Sequence, residues 1–232
     1  MGVLITRPRH DAEAVARVLA TRGVESLIEP LLEITNLPQA ALDLDGVQAV
    51  LLTSANGARA LAQATTRRDL TVLAVGPTTA AAASDAGFTQ VETAAGDVNA
   101  LAGLAVAGLA PDDGPLVHVS GSAVAGDLAG HLAANRFTVR RAVLYQARPV
   151  AALSPAAAAA LNGGAIHAVL LFSPRTAASF VRLAGESSVA LAGLRALCLS
   201  RAVADQAAVA SWGAVEVAAR PDQESLLALV GD

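Results

Sequence analysis

The chain contains no lysine; all 16 of its basic residues are arginine. Schiff-base chemistry through a lysine amine is therefore excluded, and so is a phosphate loop that depends on lysine. Cys198 is the single cysteine, which rules out an intrachain disulfide and any site built from several thiolates. It sits in the apolar run ALCLS, where a small buried residue is expected. His10, His118, His131 and His167 show no HxH or HxxxH spacing, so no metal centre is expected. No GxGxxG or GxSxG motif occurs. Gly121 and Gly126 have phosphate-loop spacing, but Asp127 and Leu128 stand where a lysine and a hydroxyl are required. Basic tracts are also missing, and the net charge is −4, so nucleic acid is not an expected partner.

Aromatic residues are scarce, and Tyr145 is the only phenol. The longest charge-free window, residues 149–174, is interrupted by Pro155 and by Asn162-Gly163-Gly164. It reads as a short helix and a strand, not a membrane span. The start, MGVLITRP, reads as a strand, not a secretory signal. A soluble, cytoplasmic protein is expected.

What the chain does have is 54% hydrophobic residues, arranged in short apolar blocks that alternate with alanine-rich helical patterns. GVLITRP (2–8), SLIEPLL (26–32), QAVLLTS (48–54), LTVLAVG (70–76), the short TQVETA (89–94), LVHVSG (116–121), FTVRRAVLYQ (137–146), HAVLLFSP (167–174), RALCLSR (195–201) and AVEVAARP (214–221) read as strands. Blocks apolar on both faces, each followed by a helix, predict an α/β protein of parallel sheets with about ten strands.

The blocks also repeat. LLTSANGARAL (51–61) matches LLFSPRTAASF (170–180). VLAVGPTTAAAASDAGFTQVETAA matches ALCLSRAVADQAAVASWGAVEVAA. The opening VLITRP…SLIEPL matches LVHVSG…VRRAVLY. Such an internal pseudo-repeat predicts two similar lobes. One is discontinuous, 1–33 plus 150–232, and the other spans 34–149. Two crossovers, near 33–38 and 146–150, each carry a proline, Pro38 and Pro149.

In open parallel sheets ligands bind beyond the carboxyl ends of the strands, where helix N-termini favour anions. Those ends carry Thr6 and Arg7, Thr53 and Ser54, Gly76, Thr78 and Thr79, Ser120 and Ser122, Ser173 and Arg175, and Ser200 and Arg201. Singly they read as helix caps. Together, across a cleft between lobes, they suit a large anionic ligand. Tyr145, ending a strand that leads into the second crossover, is expected near the cleft mouth or, alternatively, hydrogen-bonded at a sheet edge.

VLITRP, SLIEPLLEI, VLLTSANGARAL, VLAVGPTTAAAASDAGF, VLYQ and VLLFSPRTAASF, in this order and spacing, resemble the uroporphyrinogen-III synthase family over nearly the whole chain. The resemblance implies two flavodoxin-like lobes, each a doubly wound parallel sheet, joined by a two-stranded linker. It implies ring closure of hydroxymethylbilane, an octa-carboxylate, to uroporphyrinogen III without a cofactor or metal, in a monomer with no membrane or nucleic-acid partner. Tyr145 becomes the catalytic candidate. Thr6, Arg7, Ser54, Gly76, Thr78, Thr79, Ser120, Ser122, Ser173, Arg175 and Arg201 become substrate-binding candidates. One departure stands out: where AVGPTTA should recur, the second lobe has LSRAVA (199–204). A two-lobed small-molecule-binding or regulatory module of the same fold, lacking catalysis, is the alternative.

Overall fold

The structure is a computed structural model, and it describes residues 2–37, 42–94, 96–123 and 126–231. In chain order it forms β1 (Gly2–Ile5), α1 (Arg9–Thr21), β2 (Glu25–Ile28), β3 (Leu32–Asn36), β4 (Ala49–Leu52), α2 (Ala55–Ala64), β5 (Thr71–Ala74), α3 (Pro77–Asp85), β6 (Gln90–Thr93) and α4 (Val98–Gly108). It continues through β7 (Leu116–Gly121), α5 (Leu128–Ala133), β8 (Val139–Pro149), α6 (Pro155–Asn162), β9 (Ile166–Leu171), α7 (Pro174–Glu186), β10 (Arg195–Cys198), α8 (Arg201–Ala207), β11 (Ala214–Val217) and α9 (Gln223–Ala228).

The chain divides into two compact units. The first comprises Met1–Glu33 and Arg148–Asp232, and the second Ile34–Ala147. Pro38, in the first expected crossover, lies outside the described residues.

The first unit holds a five-stranded sheet in the order β11-β10-β9-β1-β2, with every pairing parallel. Its central strands are apolar on both faces. Leu4, Val169 and Cys198 pack under α7 and α8, while Val3, Ile5 and Leu170 pack with Val15 and Leu19 of α1 and Leu226 of α9. Phe180 of α7 is fully buried and stacks on Trp212 at 5.6 Å, and the Trp212 indole donates to the Ala207 carbonyl. Counted along the unit, the strand order is 2-1-3-4-5, with helices on both faces.

The second unit holds six strands in the order β3-β8-β7-β4-β5-β6, with parallel pairing from β8 through β6. Val50, Leu52, Val72, Val117 and Val119 face α2 and α3, and Leu51, Leu73 and Leu116 face α4 and α5. Alternating side chains thus fill both faces, as a fully covered parallel sheet requires.

One sequence expectation is corrected. The block 26–32 is not one strand: β2 ends at Ile28 and β3 starts at Leu32. Pro30 supplies no N–H for a ladder, and the Glu29 carboxylate turns inward. It is buried, and it accepts from the backbone N–H and the hydroxyl of Ser154, each at 2.7 Å, at the start of α6. The second sheet accordingly gains β3 as a sixth strand. Among the described residues, no helix is long and apolar enough to cross a membrane.

Candidate active site

In the second unit the chain progresses from β4 outward through β5 and β6 on one side, and from β7 to β8 on the other. The direction reverses between β4 and β7, the point where open α/β sheets leave a crevice at their carboxyl edge. A pocket of about 420 Å³ occurs here, lined by Thr53, Ser54, Val75, Gly96, Asp97, Val98, Gly121, Ala123 and Tyr145.

Ser54 is placed by helix capping. Its backbone is extended, and its hydroxyl accepts from the Gly57 N–H at 3.0 Å, which starts α2. The same oxygen lies 2.7 Å from the Tyr145 hydroxyl. The pair holds two hydroxyl protons, and their mutual bond uses one. Whichever oxygen donates, one O–H is left to serve a ligand.

Tyr145 reaches Ser54 because β8 is bulged. Ser120 pairs with Val143, but the next residue, Gly121, pairs with Tyr145, so two residues of β8 span one step of β7. Leu144 and Tyr145 consequently pack in the same apolar cluster, which strict alternation forbids. Gly121 leaves room for the ring: a Cβ there would lie 2.8 Å from Tyr145 Cε2. The Ser122 N–H donates to the Tyr145 carbonyl at 3.0 Å and fixes the backbone beyond the bulge.

Two further features border the pocket. Asp97 caps α4 by accepting from the Ala100 N–H at 2.8 Å, and among the described residues it is the one charged side chain in the lining. His118 is buried, and its ring Nε2 lies 3.2 Å from Thr53 Oγ1. Burial, with the nearby Arg141 charge second, lowers its pKa from 6.5 to about 4, so the ring is neutral near pH 7.

The remaining candidates have other surroundings. Thr6 is buried and donates to the Leu170 carbonyl at 2.7 Å. Ser120 is buried and accepts from Arg141 Nε at 2.9 Å, while Arg141 also donates to the carbonyls of Gly121 and Ser122. Gly76 caps α3, with Thr78 exposed and Thr79 buried in its first turn. In the first unit, Ser173 caps α7 by accepting from the Thr176 N–H and shares a hydrogen bond with the Thr176 hydroxyl. Arg175 is exposed, and Arg7 lies over the Phe172 ring at 4.7 Å. Ser200 precedes α8 without a side-chain cap bond, and exposed Arg201 pairs with Asp205 at 3.1 Å, so LSRAVA keeps the helix start of its counterpart.

The pocket therefore unites Ser54 and Tyr145 with Thr53 and Asp97, and the other candidates do not line it. Thr53 is one of the strand-end residues read from the sequence as facing a ligand, whereas Gly121 and the 96–98 turn are not among the candidates drawn there. Gly121 ends β7 and the turn follows β6, and position at a strand end is their only advance signal. Burial pushes the Cys198 thiol up to about 11, which removes it as a nucleophile.

Fold and pocket define a two-unit parallel α/β protein whose second unit offers hydroxyl groups at a sheet switch point. The profile of the uroporphyrinogen-III synthase HemD family matches residues 13–228, and the chain belongs to that family. Its activity is that of a uroporphyrinogen-III synthase, in tetrapyrrole biosynthesis. No curated protein matches it in sequence. Among solved structures it is similar to uroporphyrinogen-III synthetase from Helicobacter pylori, at 15% identity and TM-score 0.64, over 99% of this chain and 97% of that one. It is also similar to a mutant uroporphyrinogen III synthase from Thermus thermophilus, at 19% identity and TM-score 0.54, over 100% of this chain and 97% of that one.

Proposed function

We propose that the Ser54–Tyr145 pocket is where the hydroxymethyl end of hydroxymethylbilane is activated for ring closure. The observation that carries this reading is the 2.7 Å hydroxyl pair, which keeps one O–H for a ligand inside a concave, partly apolar site. Donation from that O–H to the departing hydroxyl assists loss of water and formation of an electron-poor azafulvene. Asp97 places a carboxylate beside the carbon skeleton as electron density is withdrawn. The terminal pyrrole then attacks through its substituted carbon, and the spiro intermediate fragments and recloses as the type III ring. Holding the chain in that bent conformation is a matter of proximity and orientation.

A volume of about 420 Å³ suits a portion of a linear tetrapyrrole. The carboxylates are assigned to helix N-termini such as that of α2, which Ser54 caps. Both units are read as flavodoxin-like: the first has the order 2-1-3-4-5 along the chain, and the second has the same spatial order, β8-β7-β4-β5-β6, circularly permuted, since β7 and β8 follow β4, β5 and β6 in the chain. The strands β3 and β8, which pass the unit boundaries at Glu33/Ile34 and Ala147/Arg148, are read as the two-stranded linker. The same reading takes the enzyme as a cytoplasmic monomer acting without a cofactor.

The test is the isomer assay. Protein is mixed with fresh hydroxymethylbilane, the products are oxidised, and the type I and III isomers are separated. Tyr145→Phe is expected to slow type III formation roughly 10- to 100-fold, the worth of one donor at about 1–3 kcal/mol. Ser54→Ala should give a similar loss, with about 1 kcal/mol of stability from the missing cap. Full turnover in Tyr145→Phe would remove the phenol from the mechanism.

A further inference from the structure

His118 belongs to β7, and Thr53 follows the end of the adjacent parallel strand β4, so their contact is diagonal. Leu51 pairs with His118 in the β4–β7 ladder, and Thr53 lies two residues beyond Leu51. The imidazole leans along the sheet to bring Nε2 within 3.2 Å of Thr53 Oγ1. On its own strand His118 is flanked on its face by Leu116 and Ser120. The Ser120 hydroxyl is already engaged by Arg141. An imidazole in such a position, 7% exposed, costs desolvation that a leucine would avoid, and only a hydrogen bond offsets it.

The partner in that bond is a hydroxyl that lines the pocket beside Ser54 and Tyr145. A threonine side chain has more than one staggered χ1 choice. The bond to His118 selects one and leaves the oxygen further capacity toward the pocket: a proton for a carboxylate, or a lone pair for a pyrrole N–H.

We infer that His118 is a positioning residue that fixes the Thr53 hydroxyl as a further substrate contact in this pocket. The inference rests on the reading that the pocket receives hydroxymethylbilane.

A double-mutant cycle tests it, with kcat, KM and isomer ratio measured for the wild type, Thr53→Val, His118→Leu and the double variant, and Tm recorded for each. Each single change should lower kcat/KM roughly tenfold. The double variant should be no slower than the worse single one, because His118 has nothing left to position once the hydroxyl is gone. His118→Gln, whose amide can still bond the hydroxyl, should recover most of the loss. Losses that multiply, or a His118→Leu protein that loses Tm but keeps its turnover, would overturn the inference. Should that variant not fold, imidazole 15N shifts in the wild type and Thr53→Val give the answer. A shift on removing the hydroxyl supports the contact, and unchanged nitrogens refute it. A wild type yielding only the type I isomer would instead defeat the underlying reading, while a silent Thr53→Val in an active enzyme would defeat the inference alone.

Discussion

Gly121→Ala is expected to cut type III formation by about 100-fold or more while lowering stability by only about 1 kcal/mol. The backbone at Gly121 is not in the left-handed region, so alanine meets no conformational barrier there. The conflict is steric. The new methyl would lie 2.8 Å from Tyr145 Cε2, 3.0 Å from Cζ and 3.3 Å from the hydroxyl oxygen. The ring, not the strand, is the part able to yield, and turning it breaks the 2.7 Å contact with Ser54. The displaced ring then obstructs the pocket as well as losing its donor, so the variant should be worse than Tyr145→Phe. Turnover measured beside a urea midpoint separates the two effects. Undiminished turnover, or a loss fully accounted for by unfolding, would show that the ring is not held as described.

Acid should weaken the fold well before its carboxylates titrate, with His118 as the cause. The native ring has a pKa of about 4 against 6.5 for an unhindered imidazole, chiefly from burial. Between these values the unfolded chain binds a proton that the native chain refuses, so stability rises with pH across the window. The contribution is complete above 6.5 and is lost as the pH falls toward 4. Between pH 7 and pH 5 this amounts to about 2 kcal/mol, and to about 3 kcal/mol over the whole window. The pKa of His167 is also lowered by burial, and it adds to the slope in the same direction. Urea unfolding at several pH values, for the wild type and His118→Gln, isolates the contribution: the variant should lose most of the slope. Equal slopes would mean that His118 is solvated in the native state.

Much of the architecture is readable in the sequence. LLTSANGARAL and LLFSPRTAASF do form the same strand, serine cap and helix, with Ser54 and Ser173 each accepting from an N–H three residues on. Apolar blocks without alternation become the central strands of parallel sheets, because both of their faces are covered. Caps with short polar side chains, such as Asp97, Asp127 and Asp222, mark the helix starts.

The rest is hidden for physical reasons. A break at Pro30 inside an apolar run looks like one strand until the buried Glu29 carboxylate is seen capping another segment. Thr6 and Ser120 have the residue type and position of ligand contacts, but a backbone carbonyl and an arginine engage them first. Spacing tests a histidine only as a metal ligand, and the hydroxyl partner of His118 lies just past the end of a different strand, beyond the reach of any such rule. The bulge in β8 leaves no trace in composition, since any residue can be the extra one.

That bulge has a consequence for how such chains are compared. Without the added residue, Tyr145 would share the side of Val143 and turn away from Ser54. Aim here depends on counting as well as on chemistry. An alignment that matches letters but misplaces a single gap near the end of β8 would hand the phenol's role to a neighbour, even with every strand correctly paired.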